Sequence, residues 1–308
     1  MKLTRTHIIL FILTVLTTLI TGYTFSSNIY DAILFSVSLI LILGCHEMGH
    51  YYYGRKYNVD ITPPYFIPAP PFLSIIGTFG AFIKIKSTIT SKKALFDIGI
   101  AGPIAGLITA IPVIIIGLRL SEAVLVKDIN MSGNMFIVTG DNLIFKLLSS
   151  LCLPVLPDGY EYLNHPMAFA GWIGLFVTAL NLIPYGQLDG GHILYSLFPR
   201  KIHKNISFII LAILLVLGSG TKEVIRLLHK FYLFDLNNNI IEAITFDGWS
   251  GWLVWAVLLI ALGYKHPPTQ TDHIEEMDSK RKILGIIALL IFVGCFTPVP
   301  IIISDSLH

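Results

Sequence analysis

The chain has 308 residues, 54% of them hydrophobic and only 13% charged, with a formal net charge of +2. Soluble domains carry about a quarter charged residues, so the composition excludes a soluble fold and makes a membrane the natural solvent. The small net charge, with no long basic run interleaved with aromatics, excludes a nucleic-acid partner. Cys45, Cys152 and Cys295 stand alone, without a CxxC pair, which argues against a disulfide framework and against a thiolate metal site.

A helix needs about 20 apolar residues to cross the hydrocarbon core. The chain opens Met1-Lys2-Leu3-Thr4-Arg5 and turns apolar from about Ile8 to Phe25. It lacks a small-x-small cleavage site and a second apolar run follows closely, so this reads as a retained transmembrane helix and not a signal peptide. Spans are expected at about 7–25, 31–53, 94–118, 167–190, 206–219, 248–264 and 283–303. The fold class is therefore an all-α polytopic membrane protein of about seven transmembrane helices. With the N-terminus inside, 15 of the 21 Lys and Arg residues fall in cytoplasmic segments, as the positive-inside rule requires. The stretch 220–247 reads as an interfacial helix, with Lys222, Glu223, Arg226 and Lys230 set against Val224, Ile225, Leu227 and Leu228. No linker, repeat or low-complexity tract divides the chain, and 1–308 is expected to be one membrane-embedded domain.

The second span ends Gly44-Cys45-His46-Glu47-Met48-Gly49-His50, which is H-E-x-x-H. On a helix, positions i and i+4 share a face, so both imidazoles can reach one ion. Glu47 sits about 100° around the helix, where it can reach a water at that ion without being a ligand. An ionisable residue deep in a span costs about 2.5–3.5 kcal/mol, so two histidines and a glutamate there need a reason beyond chance. Cys45 points about 100° away from His46 and reads as a small buried hydrophobe.

The following segment, 54–93, holds Pro63, Pro64, Pro68, Pro70 and Pro71, which forbid helix and favour extended backbone. Phe82, Lys84 and Lys86 alternate with Ile83 and Ile85 in a strand-like period. A membrane-associated β-like loop is expected here, close to the active site. Ile83 and Ile85 are its candidate substrate contacts, since an exposed edge could take an unwound peptide by β-addition. The alternative is an ordinary cytoplasmic loop whose lysines reach anionic lipid. On the third span, Gly99, Gly102 and Gly106 are spaced for close helix packing.

A catalytic zinc takes three protein ligands and an open position. The fourth span, interrupted by Pro184, Gly186, Gly190 and Gly191, supplies Asn181-Leu182-Ile183-Pro184-Tyr185-Gly186-Gln187-Leu188-Asp189-Gly190-Gly191-His192. Asp189 is an acid in an apolar span at the same inner end as His50. His192 is the rival ligand, or else a partner that orients Asp189. Spacing alone does not choose between them.

Together the motifs His46-Glu47-Met48-Gly49-His50 and Asn181 to His192 resemble the site-2 protease family of intramembrane zinc metalloproteases. The likeness covers a catalytic core of about 31–205 and includes Gly102-Pro103-Ile104-Ala105-Gly106. Pro64 to Pro68, Gly77 to Phe82 and Lys265-His266-Pro267-Pro268 look like a subgroup without PDZ or CBS modules. Residues 206–308 would add C-terminal spans. The resemblance implies one Zn2+ held by His46, His50 and Asp189, with Glu47 as general base. It also implies a role for Asn181 near the scissile carbonyl, where the bland alternative is a helix-packing hydrogen bond. It implies a transmembrane protein or peptide as substrate, either a membrane-anchored regulator or a leftover signal peptide. The expected location is a prokaryotic inner membrane, since no transit peptide is evident before the first span. Two other readings are a zinc transporter, which needs no base at Glu47, and an inert scaffold, which would have lost a ligand or the base.

Overall fold

A computed structural model describes residues 3–127, 136–221, 248–270 and 276–304. Helix α1 spans Arg5–Ser26 and α2 spans Ile29–Lys56. Only Ser27 and Asn28 separate them. Ser27 takes the left-handed conformation that closes α1, and the Asn28 side chain accepts from the Tyr30 amide to start α2. The two helices must then run antiparallel and touch. Gly22 lies against the Ala32 backbone, and the Thr18 and Ser36 hydroxyls bond at 2.6 Å. Asp31 in the first turn of α2 and Arg55 and Lys56 in its last turn complement the helix dipole.

After α2 the prolines enforce an extended path. Strand β1 (Tyr65–Pro68) pairs antiparallel with β2 (Thr78–Phe82), Tyr65 opposite Phe82. The ladder stops there, and past it only a single bridge joins Ile61 to Ile85. Over 82–86 the isoleucines are half-buried while Phe82, Lys84 and Lys86 are exposed.

Helix α3 (Lys92–Arg119), capped by Ser91 on the Ala94 amide, carries Pro103 and Pro112 internally. Strands β3 (Glu122–Leu125) and β4 (Phe136–Thr139) follow, then helix α4 (Leu143–Cys152), strand β5 (Tyr160–Leu163) and helix α5 (Pro166–Leu182). Next come α6 (Asp189–Leu197), α7 (Arg200–Ser219), α8 (Gly251–Leu262), α9 (Ser279–Cys295) and strand β6 (Ile301–Ser304). Strand β3 pairs with β5, and β4 with β6, both antiparallel. The interrupted span expected at about 167–190 is two helices, α5 and α6. From residue 222 onward, the interfacial helix expected over 220–247 lies outside the described residues.

The core is where α2, α3 and α5 meet. Phe35, Leu39 and Ile42 pack with Ala110 and Ile114 and with Trp172 and Leu175. Burial of such side chains contributes about 1.5–3 kcal/mol each, but that figure assumes water as the alternative. Elsewhere large apolar residues face outward along α1, α8 and α9, among them Ile8, Leu16, Ile20, Val254, Val257 and Leu290. In water such a surface would aggregate. Among the described residues α1, α2, α3 and α7 are long and apolar enough to cross a membrane. Helices α5 and α9 have 17 residues and α8 has 12.

At one end of the bundle a polar cluster ties α2, α3 and α9. Arg281 donates from Nε to Asp97 Oδ1 at 2.8 Å and from Nη2 to Asp97 Oδ2 at 2.6 Å. It also donates to Asp278, and Tyr57 Oη donates to Asp97. At the opposite end of α2, His165 and Asp31 meet at 3.2 Å, joining the starts of α5 and α2.

Candidate metal centre

One turn of α2 separates His46 from His50, and both rings point into the bundle, buried. Their Nε2 atoms are 3.1 Å apart, and each is 3.3 Å from Asp189 Oδ2 at the start of α6. The three sites predicted to share an ion are thus brought into one triangle, and they form the one such group of His, Cys, Asp and Glu found among the described residues.

This triangle is chemically incomplete. His50 Nδ1 lies 2.7 Å from the Ile98 carbonyl, to which it must donate, so a neutral ring carries its lone pair on Nε2. Asp189 Oδ2 is buried without a hydrogen-bond partner. His46 Nε2 faces the Asn181 amide donor at 3.1 Å, but between His50 Nε2 and Asp189 Oδ2 an acceptor faces an acceptor in a low-dielectric interior, an arrangement that costs free energy until a cation sits between them. Tetrahedral bonds of about 2.0–2.1 Å imply ligand-to-ligand edges of about 3.3 Å, so the donor set fits zinc.

Glycine makes the approach possible. A Cβ on Gly102 of α3 would fall inside the His50 ring, and one on Gly106 would stand 3.1 Å from His46 Nδ1. A Cβ on Gly99 would meet His192 at 2.9 Å. The stripe expected to allow close packing thus forms the groove that receives α2 and α6. Gly190 and Gly191 do the same inside the α5–α6 turn, against the carbonyls of Leu182 and Tyr185, and Gly186 adopts a positive φ of 51°. That tight turn is what swings Asp189 back to the end of α2.

Glu47 is buried, outside the triangle, and the backbone N–H of Ile83 faces its carboxylate. Asn181, in the last turn of α5, brings its amide nitrogen to 3.1 Å from His46 Nε2. His192 is not in the triangle. Its Nδ1 lies 2.7 Å from His266 Nε2, on the segment after α8. Ile85 lies in the bridge to Ile61. Sequence reasoning attached no role to His266 beyond the resemblance of its neighbours. A histidine followed by two prolines at the end of an apolar span was the available signal.

The sequence profile of peptidase family M50 matches residues 34–218, more than half of the chain. The chain belongs to that family. M50 is the site-2 protease family that the two motifs resemble. The chain is similar to a "probable zinc metalloprotease EGY1, chloroplastic" of Oryza sativa subsp. japonica, 35% identical over 164 residues, 50% of this chain and 26% of that protein. The "probable zinc metalloprotease EGY2, chloroplastic" of Arabidopsis thaliana is 32% identical over 52% of this chain and 28% of its own. EGY3 of Oryza sativa subsp. indica is 29% identical over 65% and 34%. This M50 chain thus spans about a quarter to a third of the length of these curated relatives. Their names place them in the chloroplast, and nothing in the comparisons supports the prokaryotic inner membrane expected above. No solved structure matches the chain.

Proposed function

We propose that this M50 chain is an intramembrane zinc metalloprotease that hydrolyses peptide bonds within or near membrane-spanning helices. The observation that carries the reading is the triangle of His46, His50 and Asp189, three acceptors with an unpartnered buried oxygen beside a carboxylate that is not a ligand. The residues that would hold zinc are those three. Bound there, zinc would polarise a carbonyl and make a water acidic near neutral pH. Glu47 takes the proton from the attacking water and returns it to the leaving amine, so the scissile C–N bond breaks with no net proton change. Asn181 donates its amide N–H to the oxygen that gains charge at the attacked carbon.

We further propose seven crossings with an inside N-terminus, and helix-end contacts support that path. The chain ends that such a path puts on one side are the ends that touch. Tyr57, Asp97 and Arg281 meet inside, as do Gly186 and Gly263. Asp31 meets His165 outside, Trp252 donates to the Pro298 carbonyl, and β4 pairs with β6. The α5–α6 turn leaves irregular backbone at the metal, which a membrane tolerates where protein or a wet cavity surrounds it.

A helical substrate must unwind before attack. The segment Ile83–Ile85 lies beyond the β1–β2 ladder and beside Glu47, where an extended peptide could add to it. Ile83→Pro removes the N–H and the edge, and unchanged cleavage by a folded variant would sink the strand-addition part of the reading.

The test of the whole is cleavage of a single-span protein in liposomes by wild type and Glu47→Gln, with zinc content measured on both. Cleavage by wild type and its loss in a zinc-loaded variant is the expected result. Zinc in both and cleavage by neither, across a panel of helices, would overturn it.

A further inference from the structure

Helix α6, which presents Asp189, is nine residues long, and its N-cap, Leu188, offers no side-chain cap. A short helix with so little of its own to hold it needs outside support if the carboxylate is to stay within 3.3 Å of two imidazoles. One face of α6 is seated in the α3 groove at Gly99, and further support comes from the stretch after α8, residues 263–270. It begins at Gly263, whose carbonyl would be 2.6 Å from a Cβ on Gly186 in the α5–α6 turn. It ends at Gln270, whose side chain donates to Thr88 Oγ1 at 3.1 Å just before α3. Between these anchors His266 meets two residues of α6. Its Nε2 is 2.7 Å from His192 Nδ1, and its ring stacks on Tyr195 with centroids 4.1 Å apart. His192 and Tyr195 are three residues apart and so share a face of the helix. His266 Nδ1 lies 2.6 Å from the Pro267 carbonyl, to which it must donate, so in the neutral ring Nε2 is an acceptor and His192 Nδ1 carries the proton. The turn ahead of α6 has a further tie, His203 Nε2 to the Gly186 carbonyl at 3.2 Å.

We propose that 263–270 is a strap across α6 and that His266 is a positioning residue, acting through its hydrogen bond with His192 to hold Asp189 at the metal. The proposal rests on the reading of His46, His50 and Asp189 as a zinc site. Outer partners of this kind typically set metal affinity by about 10–100-fold.

Three variants of the full chain separate the parts. His266→Ala removes both contacts. His266→Gln places an amide oxygen about where Nε2 was and keeps the acceptor for His192. His266→Phe keeps the stack on Tyr195 and loses the acceptor. Zinc affinity is read by competition with a chelator in detergent, alongside thermal unfolding of the zinc-free protein. The expected result is a loss of about tenfold or more in His266→Ala and His266→Phe, and recovery to within about threefold of wild type in His266→Gln. The zinc-free unfolding temperatures of the glutamine and phenylalanine variants should stay together. Wild-type zinc affinity in both the alanine and phenylalanine variants overturns the proposal. So does equal loss in all three accompanied by equal destabilisation of the zinc-free protein, which a merely structural contact would give. The protease reading is judged separately. A wild type that binds zinc and cleaves nothing refutes that reading without touching the strap, and cleavage with His266-independent zinc affinity does the reverse.

Discussion

Two polar clusters lie near the C-terminal end of α2, and they are built on opposite rules. Around Arg281 every charge meets its complement, since the guanidinium forks onto Asp97 and reaches Asp278 while Tyr57 donates to Asp97. Around Asp189 three acceptors converge with a single donor, the Asn181 amide on His46, and the Asp189 Oδ2 stays unpartnered. The first is complete as it stands and can hold helices together. The second is complete only with a cation. Satisfied hydrogen bonding marks a structural cluster, and a buried deficit marks a site.

The sharpest way to break the contrast is Asp189→Asn. The amide supplies the missing donor, so zinc affinity should fall by more than about 100-fold while the zinc-free protein gains stability, on the order of 1 kcal/mol. Chelator competition and calorimetry read the two arms, and a zinc-free variant less stable than wild type would refute the acceptor-triangle account. Glu47→Gln comes next. On the proposed reading cleavage should fall by about 10²–10⁴-fold at unchanged zinc content, because the proposed general base is removed and none of the three proposed ligands is. Gly102→Ala places a methyl group against His50, and overpacking of this kind costs about 1–3 kcal/mol. Loss of zinc should accompany the drop in unfolding temperature, since the obstructed ring is one of the three proposed ligands.

On the other cluster, Arg281→Met leaves the largely buried Asp97 without its main partner. Stability should fall by about 1–3 kcal/mol with zinc affinity intact, and a change in zinc affinity would show that the clusters are coupled. The smallest effect concerns Tyr57, whose phenol is pushed above its usual range by burial and by its bond to Asp97. A raised value means that the protonated form is favoured in the folded state, so the contribution is full below about pH 10 and is lost as pH rises through the folded value. Alkaline unfolding curves of wild type and Tyr57→Phe should differ in slope above pH 10 by less than about one proton, and parallel curves would remove Tyr57 from the cluster.

What the sequence made legible follows from the range of the interactions. His46, Glu47 and His50 lie on one turn, and helical periodicity alone predicts their shared end. The break between α5 and α6 is written in Pro184, Gly186, Gly190 and Gly191. Asn181 beside His46 came only through the resemblance, because 135 residues separate the two and no local rule joins them. The pairings of β3 with β5 and of β4 with β6 were not foreseen for the same reason, as short strands carry little pattern and their partners are remote. The alternation around Ile83 and Ile85 persists as burial but the ladder ends at Phe82, since period two reports which face is covered and not who donates to whom. His266 was readable as an oddity and not as a strap.

Helix α2 runs unbroken, without proline, from the Asp31–His165 contact to His46 and His50. From Asp31 to His50 is 19 residues, or about 28 Å of rigid rod at 1.5 Å per residue. A tilt of only about 5° about the Asp31 end carries the imidazole nitrogens about 2.5 Å, most of an edge of the triangle itself. The helix is in this sense a lever, with its fulcrum at one face of the bundle and its working end at the other. Whatever grips the first turn of α2 has mechanical purchase on the geometry of the metal.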